Sequence, residues 1–109
     1  AEIFLYEGQK IEEKKYTKWF DYDKIKNSPC VRTRRQGDYL TVNSEGGKKK
    51  LNRIFIDEKI PAEMRDRLPV VAAGSEILWI PGGRMNEKYK ITSTTGRVLE
   101  LHYQGGTLA

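Results

Sequence analysis

The sequence predicts a mainly β domain of the α+β class, a small β-sandwich or barrel-like fold with one or two short helices. Three observations support this prediction. The chain has 109 residues, a length typical of a single domain that buries its own core. Its apolar residues fall mostly in short runs rich in β-branched and aromatic types. Two segments have the signals of helices, and strands with a few inserted helices favour packed layers.

The first strands are predicted from composition. Residues 15–21 (KYTKWFD) and 30–35 (CVRTRR) are rich in β-branched and aromatic side chains. The pair Gln36 and Gly37 offers a tight turn between the second segment and residues 39–42 (YLTV). The sequence therefore predicts a β-hairpin in this region.

Two helices follow. Residues 48–59 are predicted to form the main helix, because apolar side chains recur there at the spacing of one helix face. Residues 62–68 (AEMRDRL) lie between two prolines and are predicted to form a shorter helix, with Pro61 preset for its first turn. The apolar face of the main helix consists of Leu51, Ile54 and Phe55.

The C-terminal half contains the predicted centre of the core. Residues 70–73 (VVAA) and 77–80 (ILWI) are apolar without alternation, which is typical of strands covered on both faces. Gly74 begins the turn between them. Residues 88–92 (KYKIT) and 98–103 (VLELHY) alternate, which predicts half-exposed strands.

Positive charge is concentrated in one part of the chain. The net charge is +5, from 20 basic and 15 acidic residues. Residues 24–53 contain nine lysines and arginines against Asp38 and Glu45, a local excess of seven charges. This asymmetry suggests a polyanionic partner. A lysine-rich solvated face is the alternative interpretation, and composition alone does not separate the two.

A phosphate site is predicted where the main helix begins. Gly46 and Gly47 make the backbone approachable, and the N–H groups of a first helical turn suit phosphate oxygens. A bound anion would offset the unfavourable position of lysines near the positive end of the helix dipole. The alternative is that these lysines simply extend into water. In the segment 30–35, a strand period of two would place Arg32 and Arg34 on the same face. The basic block proposed to meet a polyanion therefore consists of Arg32, Arg34, Lys48, Lys49, Lys50 and Arg53.

The sequence offers little for catalysis or metal binding. Cys30 is the single cysteine and His102 the single histidine, so a thiolate cluster or a zinc site cannot form within the chain. Cys30 is expected to be a buried structural thiol. Alternation places His102 beside Glu100 on one face of a strand. The GGKKK segment is not a P-loop, because that motif requires a hydroxyl residue after its lysine.

The chain is expected to act in the cytoplasm without a membrane partner. No apolar run approaches the roughly 20 residues of a membrane-spanning helix, and no leader pattern opens the sequence. A single cysteine fits a reducing compartment. The absence of an initiating methionine suggests a piece of a longer protein.

Several ordered blocks of the sequence resemble one known family. They include VRTRRQGDYL, GGKKKLNRIFIDEKIPAEMRDRLPVV and EILWIPGGRMNEKYKIT, flanked by WFDYDKI and GRVLEL. From about Trp19 to Leu101, this order is similar to that of the C-terminal domain of tRNA(Ile)-lysidine synthase. The most specific elements are the R-x-R-x-x-G-D stretch that begins at Arg32 and the K-K-L-x-x-x-F-I-D-x-K-I-P block that begins at Lys49.

The resemblance implies a compact sandwich of the PheT/TilS type, related to one in phenylalanyl-tRNA synthetase. Full-length enzymes of this family use ATP and magnesium to attach lysine to the wobble cytidine of tRNA(Ile) with a CAU anticodon. That chemistry belongs to an N-terminal domain with an SGGxDS loop, which this chain lacks. We therefore expect no activity and no cofactor in this chain, with residues 17–109 as the tRNA-binding domain and residues 1–16 as the connection to a preceding domain.

The resemblance also implies that the domain holds tRNA chiefly around the acceptor stem. Proteins grip an A-form stem mainly through phosphates, 2′-hydroxyls and shape. Arg65, Arg67 and Arg84 lie in family motifs as well, although Asp57, Glu58 or Asp66 could pair with them internally. The predicted RNA-binding residues are Arg32, Arg34, Lys48, Lys49, Lys50, Arg53, Arg65 and Arg84.

A second hypothesis rests on Ile56, which falls on the cationic side of the predicted main helix. An apolar residue there suggests a scaffold that packs against the enzyme's own catalytic domain and positions it without touching RNA. The loop in GDYLTVNSEGG also departs from the second aromatic and proline-glycine loop of many family members. The loop that presents the lysines is therefore expected to differ in shape.

Overall fold

The computed structural model describes residues 1–11 and 14–108, in which nine strands, two α-helices and two 3-10 turns form. The strands are β1 (Glu2–Leu5), β2 (Thr17–Asp21), β3 (Cys30–Arg32), β4 (Tyr39–Thr41), β5 (Lys48–Lys50), β6 (Val70–Ala73), β7 (Glu76–Trp79), β8 (Arg97–Gln104) and β9 (Thr107–Leu108). The helices are α1 (Leu51–Asp57) and α2 (Ala62–Arg65), and the 3-10 turns cover Tyr22–Lys24 and Glu87–Tyr89.

The strands belong to two sheets. The four-stranded sheet has the order β1-β8-β2, and β9 also pairs with β8. The five-stranded sheet has the order β3-β6-β7-β4-β5, in which β4 and β7 are parallel and the other pairs are antiparallel. This architecture confirms the mainly β prediction with two short helices. Strands β2, β6, β7 and β8 lie close to their predicted positions.

The core lies on both faces of the five-stranded sheet, because its central strands are buried on both sides. Along β6, Val71 and Ala73 face the four-stranded sheet, whereas Val70 and Ala72 face α1. Burying one large apolar side chain contributes about 1.5–3 kcal/mol. The prediction of strands covered on both faces is confirmed. The helix side of the core also contains Leu40, Leu51, Ile54 and Phe55.

The main helix begins later than predicted. Residues 48–50 form the edge strand β5, and α1 begins at Leu51 after Lys50, whose φ of −68° and ψ of 142° are extended. The hairpin turn explains this start, because the Asn43 Oδ1 atom accepts hydrogen bonds from two backbone N–H groups of the loop and directs the chain back along β4. Lysines are thereby kept out of the first helical turn, where the dipole disfavours them.

Two predicted strand features are wrong. The predicted hairpin does not form, because β3 pairs with β6 whereas β4 pairs with β5 and β7. Residues 88–92 do not form a strand either. The buried Asn86 caps a 3-10 turn there, accepting a hydrogen bond from the Lys88 N–H at 2.9 Å and donating one to the Ile77 carbonyl at 2.8 Å. A side chain that satisfies the backbone locally competes with strand pairing.

Two further predictions, on Cys30 and on residues 1–16, concern the edges of the sheets. Cys30 is exposed, because it starts the edge strand β3, so the expected burial of its thiol is wrong. Residues 1–16, predicted as a connection, contribute β1 to the four-stranded sheet, and the Phe4 ring packs edge-on against Trp19 at a centroid distance of 4.9 Å. Residues 12 and 13 of that segment, and residue 109, lie outside the described residues.

Candidate nucleic-acid interface

Arg32, the first predicted RNA contact, is bound inside the protein. Its guanidinium donates two hydrogen bonds of 2.8 Å to the Asp38 carboxylate and one of 2.8 Å to the Gly74 carbonyl. The two side chains are 10% and 2% exposed. The hydrogen bonds to Asp38 raise the pKa of Arg32 above its ordinary value. This geometry is that of a structural ion pair, in which bidentate contacts fix both partners.

Asp38 organises the segment that joins β3 to α1. Its carboxylate accepts a hydrogen bond of 2.7 Å from the Arg35 N–H, and its carbonyl accepts one of 2.9 Å from the Leu51 N–H. The second contact uses a donor of the first turn of α1, and α1 has seven residues. The helix start on which the predicted phosphate site depended is therefore wrong, because the three lysines precede the helix and the Leu51 N–H of its first turn is already bonded.

Strand β5 separates the three predicted lysines onto two faces. Lys49 is in register with Leu40, which packs against α1, and so Lys48 and Lys50 lie on the opposite face. The Lys48 ammonium lies 5.3 Å from the centroid of the Tyr39 ring. Lys48 and Lys50, the β5 lysine pair, are exposed and have no carboxylate partner within the part of the chain that the structure describes.

On the helix side of β5, two cations share one carboxylate. The Lys49 ammonium contacts Asp57, and the Arg53 Nε atom lies 3.1 Å from the other oxygen of the same carboxylate. The hydrogen bond from Lys49 is the main reason that the pKa of Asp57 lies below its usual value. These two cations are partly neutralised before any ligand arrives.

Arg34 also has an acidic partner. Its Nε atom donates a hydrogen bond of 2.8 Å to Asp66, and its Nη1 atom donates one of 2.8 Å to the Asn52 side chain. Arg65 donates to the Ile60 carbonyl at 2.9 Å. The eight predicted residues therefore form separate groups: Arg32 inside the protein, the β5 lysine pair on one face, Arg34, Lys49 and Arg53 on the helix side, Arg65 on α2 and Arg84 in the loop after β7.

The predicted placement of His102 beside Glu100 is confirmed on the outer face of the four-stranded sheet. The His102 Nε2 atom lies 2.7 Å from Glu100, and its Nδ1 atom lies 2.8 Å from the Thr17 hydroxyl. The Trp19 indole donates to the other Glu100 oxygen at 2.6 Å. Burial raises the pKa of Glu100, but the hydrogen bonds from Trp19 and His102 outweigh it and hold that pKa below its usual value. These contacts tie β2 to β8.

Residues 1–11 and 14–108 contain neither a metal-binding cluster nor a membrane-spanning helix. No group of three or more His, Cys, Asp or Glu side chains there could hold a metal ion. Nor does that part of the chain contain a helix of the length and apolarity that a bilayer crossing requires.

Comparison with known proteins identifies the family. Residues 30–101, from β3 into β8, match the family model described as the TilS substrate C-terminal domain. This chain belongs to that family. The tRNA(Ile)-lysidine synthase of Caldanaerobacter subterraneus subsp. tengcongensis is 50% identical to this chain over 88 residues, which make up 81% of this chain and 19% of that relative. The resemblance seen in the sequence motifs is therefore confirmed.

Further relatives give the same assignment. The tRNA(Ile)-lysidine synthase of Clostridium tetani is 41% identical over 90 residues, or 83% of this chain and 19% of the relative. A solved structure described as the crystal structure of the TilS C-terminal domain has a TM-score of 0.71 and 33% identity, covering 94% of this chain and 80% of that one. The chain spans about a fifth of the length of the curated relatives it matches. It corresponds to their C-terminal domain, and the predicted TilS-type fold is confirmed.

The sequence predictions missed the side chains that contact the cations of this domain. Alternation in residues 39–42 could have placed Tyr39 on the face opposite that of the core residue Leu40. The β4–β5 pairing then brings its ring next to Lys48. Asp57 and Asp66 were expected near other arginines, but they pair with the helix-side cations. The spacing of Arg53 and Asp57, four residues apart on one helix, is a signal in the sequence that could have predicted one of these pairs.

Proposed function

We propose that this chain is the domain with which a tRNA(Ile)-lysidine synthase binds the acceptor-stem phosphates of tRNA(Ile) carrying a CAU anticodon. A separate N-terminal catalytic domain attaches lysine to the wobble cytidine with ATP and magnesium, in the cytoplasm. Family membership supports tRNA as the class of ligand, because relatives over most of this chain are named tRNA(Ile)-lysidine synthase.

The observation that carries the proposal is the β5 lysine pair. Lysines two residues apart on a strand are separated by about 6.6 Å, a spacing close to that of successive phosphates along an RNA strand. Both ammonium groups project from an edge strand, and neither is bonded to a carboxylate in the described residues. Such cations neutralise phosphate charge and release counterions when RNA binds.

Lys49 provides a matched control, because it lies between the two lysines of the pair but is bound to Asp57. We expect K48Q and K50Q each to weaken binding of a tRNA(Ile) transcript about threefold to tenfold, the effect of losing one phosphate contact at low salt. The K49Q variant should change the affinity less. Fluorescence anisotropy at fixed salt measures all three. Equal losses in the three variants would contradict the proposal, since they would indicate net charge alone.

A second function, that of a scaffold for the catalytic domain, is favoured by one observation. Ile56 on α1 is 48% exposed and Met64 on α2 is 46% exposed, so two large apolar side chains face solvent on the helical layer. In the full-length enzyme, Ile56→Ser would then alter docking of the domains while the affinity for tRNA stays the same. Loss of the affinity in K48Q with normal docking favours RNA binding instead.

A further inference from the structure

A shallow cleft lies between the loop after β3 and the two helices. Its lining consists of Arg34, Arg35, Gln36, Asn52 and Asp66. Four of these side chains carry N–H donors, and the fifth is a carboxylate. The chemistry of the cleft therefore suits an anion everywhere except at the place that Asp66 occupies.

The guanidinium of Arg34 is fixed in this cleft before any ligand arrives. Its Nη1 atom donates to the Asn52 Oδ1 atom at 2.8 Å, and Asn52 belongs to the first turn of α1. The Arg34 side chain is 25% exposed. A donor group that is already held in place loses little conformational freedom when it binds a ligand.

The contact with Asp66 is incomplete. The Nε and Nη2 donors of an arginine point in one direction and together bind two oxygens of a carboxylate or phosphate. Asp66 bonds the Nε donor through one oxygen, and the Nη2 donor has no hydrogen-bond partner among the described residues. Asp66 is 77% exposed, so the carboxylate can turn into water with little loss.

We propose that Arg34 is a binding site for one RNA phosphodiester, which Asp66 occupies while RNA is absent. The inference rests on the proposed function and names the chemistry of one subsite within it. A phosphodiester presents two non-bridging oxygens to the Nε and Nη2 donors, where Asp66 presents one. In an RNA strand, neighbouring phosphates engage other cations at the same time, and this multivalency displaces Asp66.

Removing the competing carboxylate tests the proposal. We expect Asp66→Asn to tighten binding of a tRNA(Ile) transcript up to about fivefold, the strength of one exposed ion pair. Glu63, on the same helix and without an ion pair in the described residues, is the matched control. The E63Q variant removes the same charge and should tighten binding less. Asn is well tolerated near a helix C-terminus, so the fold of D66N is expected to be intact; D66S is a second variant.

The site itself is tested at Arg34. We expect Arg34→Gln to weaken binding, and Arg34→Lys to restore it only in part, because an ammonium keeps the charge but lacks the fork. In the R34Q background, D66N should have no more effect than E63Q. An equal gain from D66N with and without Arg34 would overturn the proposal, because Asp66 would then act only through net charge.

Failure of this inference is distinguishable from failure of the proposed function. If the wild-type chain binds the transcript and K48Q weakens that binding, but D66N and E63Q behave alike, the Arg34 subsite is wrong and the RNA-binding function stands. If the wild-type chain does not bind the transcript, both are wrong. Thermal unfolding of each variant identifies any affinity change that comes from loss of structure.

Discussion

Arg32 and the β5 lysine pair lie in the same basic segment of the sequence, yet the structure gives them opposite environments. Arg32 is bound by a carboxylate that is 2% exposed and is itself 10% exposed. Lys48 and Lys50 are exposed on an edge strand. The difference follows from Asp38, which the loop after β3 brings onto Arg32. A cation that reaches a buried carboxylate stabilises the fold, whereas one that does not stays available for a ligand.

The largest effect is expected when the carboxylate of Asp38 is removed. Asp38→Ala leaves the Arg32 guanidinium partly buried without its counter-charge and leaves the Arg35 N–H without its acceptor. Breaking such a pair lowers the free energy of unfolding by about 3 kcal/mol. Urea denaturation measures the change. A loss below about 0.5 kcal/mol, the range of ordinary surface substitutions, would contradict the structural role of this pair.

A smaller effect is expected from exchanging lysine and arginine in the two regions. Arg32→Lys keeps the charge but loses the bidentate geometry on Asp38, so it should lower the free energy of unfolding by about 1–2 kcal/mol, a typical loss for charge-assisted hydrogen bonds. K48R and K50R should leave both stability and tRNA affinity nearly unchanged, because a phosphate contact on the surface needs charge more than exact geometry. Denaturation and anisotropy on the same variants give both quantities.

These differences mark how far the sequence could predict the molecule. Apolar runs without alternation identified β6 and β7 correctly, since burial on both faces has a direct signature in sequence. The family motifs identified the TilS domain. The predicted start of α1 was wrong. Helical periodicity in the sequence begins at Lys48, but the turn that Asn43 stabilises through side-chain hydrogen bonds pairs residues 48–50 with β4 as a strand. The pairings of Arg32 and Arg34 with Asp38 and Asp66 depend on loop paths, which spacing does not encode.

The smallest expected effect concerns Asp57, the shared partner of Lys49 and Arg53. Because the pKa of Asp57 in the folded protein lies below its unfolded value of about 3.9, the pairs stabilise the fold above that pH. The contribution is lost as the pH falls through the folded pKa. The Tm of wild type should therefore fall more between pH 5 and pH 2 than the Tm of Asp57→Asn. Glu58→Gln, one residue away, is the control, and an identical pH profile for D57N and wild type would contradict the pairing.

The salt dependence of tRNA binding tests most directly whether the β5 lysine pair meets phosphate. The logarithm of the affinity falls with the logarithm of salt concentration by about 0.7–0.9 for each phosphate that a cation neutralises. For K48Q/K50Q, the slope should be smaller than that of wild type by about 1.5. R32Q removes a charge as well, and its slope, measured at a temperature at which denaturation shows it folded, should equal that of wild type. A slope that is unchanged in K48Q/K50Q, or reduced in folded R32Q, would contradict the division between structural and ligand-binding cations.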